Sequence, residues 1–85
     1  MQIATFPEKF SDNITIEISS DCEDHFIIVL TNQMGRILRM MGVNVAEGYN
    51  KIHFDNIMML EAGSYKISVK NTDAGLLYSS ILTKF

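Results

Sequence analysis

Polar and apolar residues alternate with a period of two along most of this chain, and that period belongs to strands rather than helices. Asn13-Ile14-Thr15-Ile16-Glu17-Ile18 sets three isoleucines on one face and polar residues on the other. Ser19 to Asp24 follows as an acidic turn. His25-Phe26-Ile27-Ile28-Val29-Leu30 is then apolar at five successive positions, which predicts a central strand covered on both faces. Asn32-Gln33-Met34-Gly35 reads as a hairpin turn.

Arg36 to Met41 has the look of a short helical stretch, but Gly42 and the β-branched Val43 and Val45 favour an extended segment with a bend or bulge at the glycine. Ala46-Glu47-Gly48 makes the next turn, and Tyr49 to Phe54 alternates again. Asp55 to Leu60 reads as a connection with room for one helical turn. Ser64 to Lys70 is a strand with Tyr65, Ile67 and Val69 inward. Asn71 to Gly75 is a tight turn, and Leu76 to Lys84 is the last strand. About seven strands separated by turn signals every 8–12 residues predict an all-β, immunoglobulin-like antiparallel sandwich.

One segment says more about that sandwich than the rest. In Leu60-Glu61-Ala62-Gly63-Ser64-Tyr65 the glycine turns the chain, and the tyrosine two residues later can bond back to the backbone between Met59 and Glu61. This is the pattern of a tyrosine corner at the start of a sandwich strand.

Eighty-five residues make a single domain, residues 1–85, that buries roughly 60% of the surface its unfolded chain exposes. A hydrophobic content of 47% supplies the core. The net charge of −3, without any run of lysine or arginine, argues against nucleic acid as a partner. Cys22 is the one cysteine, so no internal disulfide forms. No apolar run nears the roughly 20 residues of a membrane-spanning helix. Met1 to Pro7 lacks the basic and apolar regions of a secretory signal. A complete gene product of this sequence is expected to stay in the cytoplasm; for a fragment, nothing about export follows.

Nothing here points to catalysis. His25 and His53 lie in separate strands without metal-ligand spacing, and no nucleophile elbow, phosphate loop or buried carboxylate pair is present. The chain therefore reads as a non-enzyme without cofactor or metal. Asp21-Cys22-Glu23-Asp24 matches no calcium loop and reads as a solvated turn. Asn13-Ile14-Thr15 fits the glycosylation triplet by chance. The paired Met40-Met41 and Met58-Met59 are read as filling gaps between two sheets, with exposed apolar spots as the alternative.

Several segments, taken in order, carry a resemblance. They are Phe6-Pro7-Glu8-Lys9-Phe10 ahead of the first long strand, Thr31 to Leu38, Val45-Ala46-Glu47-Gly48-Tyr49-Asn50, Leu60 to Tyr65, and Leu82-Thr83-Lys84-Phe85. The series resembles the C-terminal sorting domains (type A-like) of cargo proteins of the Bacteroidetes type IX secretion system. It departs from that family at Glu8-Lys9, where Asn-Pro is usual.

The resemblance implies a non-catalytic address at the carboxyl end of a larger secreted precursor. Such a cargo passes through the periplasm and outer membrane to the cell surface or exterior. The implied partners are an outer-membrane translocon and a cell-surface sortase, without insertion of the domain in the membrane. It also implies that Gly48, Asn50, Gly63, Tyr65, Lys84 and Phe85 carry the signal. Two alternatives stand beside it. One is a carbohydrate-binding or adhesive sandwich using Tyr49 and Tyr78; the other is a structural spacer. Exposed edge strands also leave open a dimer of two sandwiches.

Overall fold

The computed structural model describes residues 1–73 and 75–85, and Ala74 of the expected Asn71–Gly75 turn lies outside the described residues. The chain forms eight strands in order: β1 (Gln2–Phe6), β2 (Lys9–Phe10), β3 (Ile14–Ser20), β4 (Asp24–Asn32), β5 (Ile37–Val45), β6 (Gly48–Phe54), β7 (Gly63–Asn71) and β8 (Leu76–Lys84). They pair as a three-stranded sheet, β1-β3-β6, and a five-stranded sheet, β2-β8-β7-β4-β5. All pairings are antiparallel except β2 with β8. The two sheets face each other as an immunoglobulin-like β-sandwich.

The alternation seen in the sequence becomes the core. Ile14, Ile16 and Ile18 of β3 point inward and are fully buried. They meet Phe26, Ile28 and Leu30 of β4 and Tyr65, Ile67 and Val69 of β7 from the opposite sheet. Phe10, Val45, Phe54, Ile57 and Leu82 complete the same cluster. A strand whose polar residues fall on the other parity can bury only one face, so each strand fixes its own orientation.

One expectation holds and two change. The β4 strand is central, lying between β7 and β5, and its outer face is largely covered as well. Val29 is only 3% exposed on that face, between Met40 and Ser68, its neighbours in register on either side. The expected bend at Gly42 is absent: Gly42 pairs with Ile27 in regular register, and the irregularity falls where Leu30 and Thr31 meet Ile37 to Arg39. Gly42 instead leaves room for a side chain, because a Cβ there would stand 3.4 Å from the His25 ring.

The methionines are the second change. Met40, Met58 and Met59 are 61%, 70% and 72% exposed, while Met41 alone of the two pairs packs against the core. Ile57 takes the interior place in the β6–β7 connection, so the two methionines beside it are left outside. That connection holds one turn, closed by Leu60 N–H donating to the Ile57 carbonyl at 3.2 Å.

Candidate functional site

The six residues singled out in the sequence fall into two groups. Register places Gly63 opposite Lys84 and Tyr65 opposite Leu82, so Gly63, Tyr65, Lys84 and Phe85 share the end of the sandwich where β7 begins and β8 finishes. Gly48 pairs with Ser20 and Asn50 with Ile18, at the end where β3 finishes and β6 begins. The antiparallel course of β3 through β7 makes these opposite ends of a molecule 36 Å long. No single ligand contact of ordinary size spans both.

At the first end, Gly63 holds φ at 146°, a region in which a Cβ is strained, and so lets the chain turn from the connection into β7. Two residues later the Tyr65 hydroxyl donates to the Glu61 carbonyl at 2.5 Å. Its ring, almost fully buried, meets Phe10 edge to face with centroids 5.9 Å apart. Phe10 is half of the two-residue β2, so the tyrosine corner sits against the short strand that flanks β8.

That short strand changes the picture of the terminal one. The end of β8 is held on both sides: β7 pairs with it throughout, and β2 joins on the other side at Thr83 and Lys84. Thr83 N–H donates to the Glu8 carbonyl at 2.8 Å and Phe85 N–H to the Phe10 carbonyl at 3.0 Å. Lys84 is buried along its stem, and its Nζ donates to the Phe85 carbonyl at 3.3 Å. The Phe85 ring is 71% exposed. On the outer face Ile81 stands free opposite Lys66, beside a shallow groove lined by Thr31, Gln33 and Ser64.

At the second end one side chain organises a whole turn. Asn50 accepts a hydrogen bond from Ala46 N–H at 2.9 Å and donates from Nδ2 to the carbonyls of Ala46, Gly48 and Ile18 at 2.9, 3.2 and 3.2 Å. Gly48 takes φ at 99° between these anchors. The Gly-x-Asn spacing thus closes the β5–β6 turn and ties it to β3. The group is locally saturated, which leaves Asn50 little free capacity toward a ligand.

The two tyrosines of the alternative reading do not make one platform. Tyr78 pairs with inward-facing Val69, and its hydroxyl bonds the Thr5 hydroxyl at 3.0 Å across the seam between sheets. Tyr49 lies on the outer face of the three-stranded sheet and donates its hydroxyl hydrogen to the Glu17 carboxylate. That bond, with smaller contributions from desolvation and the carboxylate's charge, raises the Tyr49 pKa above the usual phenol value. The sequence reading missed the Glu17–Tyr49 contact, although the strand alternation places both residues on outward parities. It also missed Phe10 as the partner of Tyr65, for which a two-residue strand gives no periodic signal.

The other sequence features resolve into local structure. Ser20 Oγ donates to the Cys22 carbonyl at 2.7 Å, which shapes the acidic turn and leaves Cys22 exposed. His53 bonds Thr15 at 3.1 Å and His25 bonds Asn44 at 2.6 Å, each within its own sheet. Among the described residues, no three histidine, cysteine or carboxylate side chains converge as metal ligands, and no helix is long and apolar enough to cross a membrane. No protein-family model matches the chain, and a search of curated proteins finds no match.

Proposed function

We propose that this sandwich is a non-catalytic sorting domain that directs a cargo protein across the outer membrane by the type IX system. One observation supports this reading above the others: the tyrosine corner and the finish of β8 form one built end. Gly63, Tyr65, Lys84 and Phe85 lie together there, braced by β2. A receptor reading this end meets a rigid backbone with an exposed Phe85 ring and, along the outer face, Ile81 beside Lys66. The main-chain N–H groups of Thr83 and Phe85 are already bonded to Glu8 and Phe10, so recognition of this end falls to its exposed side chains rather than to strand addition.

Gly48 and Asn50 enter this reading as structural residues that hold the far turn. The partners are the translocon and sortase that the resemblance implies, and the destination is the cell surface or exterior.

The test fuses residues 1–85 behind an exported reporter in a bacterium with a working type IX system. The fusion is expected to reach the surface or medium. The K84A/F85A pair keeps Leu82 but removes the buried Lys84 stem, so its unfolding midpoint is checked alongside; with the fold kept, it is expected to hold the fusion in the periplasm. Periplasmic retention of the unaltered fusion, or export indifferent to both substitutions, would rule the reading out.

A further inference from the structure

Among the described residues, β5 gives the longest strand edge with nothing paired to it, and little blunts it. The β5 strand closes the five-stranded sheet with nine residues, Ile37–Val45. Its competitors are shorter: β1 has five residues, β2 two and β6 seven, and β8 is free on one side only from Leu76 to Leu82, before β2 joins its finish. Natural edges of this length are usually blunted by charge or proline. This one has no proline, and its single charged residue, Arg39, sends its guanidinium back to the Asn56 carbonyl at 2.9 Å. Ile37 and Met40 stand more than half exposed on it.

Charge is also ordered along this edge. Arg36 and Arg39 lie at its start, while Glu47 and Asp24 lie at its finish, Asp24 being the register partner of Val45. A parallel neighbour of the same sequence would set like charges side by side. An antiparallel copy sets unlike charges together.

We propose that the occupant of this edge is a second copy of the chain, with two β5 strands pairing antiparallel about a two-fold axis at Met41. That register joins the two five-stranded sheets into one of about ten strands, within the size that twisted sheets reach. It keeps outer face continuous with outer face, as the period of two requires. Met40 of one copy falls opposite Gly42 of the other, beside the His25 ring that covers that glycine. Arg36 falls beside Ala46 and Glu47, and Arg39 opposite Val43, so no like charges meet. The contact is isologous, each copy supplying the same surface. It uses neither Tyr65 nor the finish of β8, and so stands apart from the sorting reading.

Sedimentation of the 85-residue chain under reducing conditions, from about 1 µM to about 1 mM, tests this, because a one-strand interface lies at the small, weak end of specific contacts. A monomer–dimer equilibrium is expected. R36E and E47R are each expected to weaken it about threefold to tenfold, and the R36E/E47R swap to restore it. M40K, exposed and thus harmless to folding, is expected to leave a monomer. A chain that is monomeric throughout, or a dimer insensitive to M40K, overturns the proposal. A charge swap that fails to restore association overturns the register.

Discussion

The two ends of the sandwich are each fixed by one side chain that bonds back to the main chain, yet they are built differently. Tyr65 makes a single bond to Glu61, and most of its hold comes from a buried ring against Phe10. Asn50 has no apolar payload and works entirely through four polar contacts within a turn and to the adjacent strand. The first end is a packed corner with a polar latch. The second is a polar clasp at the solvent boundary. A corner of the first kind couples distant elements, here β7 with β2 and through it β8; a clasp of the second kind stabilises one connection.

That contrast is open to direct attack. The largest effect is expected from Tyr65→Ala, which removes the ring as well as the latch. Truncating a buried aromatic costs about 3–5 kcal/mol, a large share of what so small a domain has. Thermal unfolding should show a drop of tens of degrees or no cooperative transition. A loss of only a few degrees would mean the corner is not anchored by packing.

Asn50→Ala comes next. It strips the turn of its clasp and leaves backbone groups to water, for a cost of about 1–3 kcal/mol. At about 4–8 °C per kcal/mol for a domain of this size, calorimetry resolves it. The core contacts should survive, so hydrogen exchange is expected to rise at Ala46 to Asn50 and to stay low in β7. Uniform acceleration across the sheets would erase the distinction between a local clasp and a coupling corner.

Tyr65→Phe separates latch from ring. The ring stays on Phe10 while the Glu61 carbonyl, at an exposed residue, turns to water, so the loss is about 1 kcal/mol and several degrees of midpoint. A change as large as that of Tyr65→Ala would make the hydroxyl, not the packing, the heart of the corner.

The smallest effect belongs to a third polar contact, on the open face of the three-stranded sheet. Tyr49 has a raised pKa through its bond to Glu17. A group whose folded pKa exceeds its unfolded value contributes stability in full below the unfolded value and loses it as pH rises through the folded one. The contribution of this phenol is thus intact below about pH 10 and fades above it. Ultraviolet titration of the folded chain should show a late-ionising tyrosine that Tyr49→Phe or Glu17→Gln removes. A Tyr49 that ionises at the ordinary value in solution would show the contact to be too exposed to hold.

Much of this organisation was legible in advance, for reasons that differ between segments. The isoleucines of β3 and the inward set of β7 follow from parity alone, because a strand has only two faces. The tyrosine corner was readable because its geometry is local: glycine, tyrosine and acceptor lie within five residues. Asn50 was singled out by the resemblance, and its four contacts were not foreseen. Two readings failed for the same reason. Gly42 looked like a bend and the methionine pairs like gap fillers because both residue types serve those ends elsewhere. Here the neighbours decided: the His25 ring occupies the space over Gly42, and Ile57 occupies the interior site beside Met58 and Met59.

By itself, then, the sequence determined that the chain is a β-sandwich, which face of each long strand is buried, and where its corner turns. These are consequences of period and of short-range stereochemistry. Only the tertiary structure decided that the candidate residues separate to opposite ends, that β2 braces the finish of β8, and that β5 is the longest unpaired edge among the described residues. Those facts depend on which strands become neighbours. Pairing joins residues far apart along the chain, as Glu8 meets Thr83, and no local pattern encodes the partner.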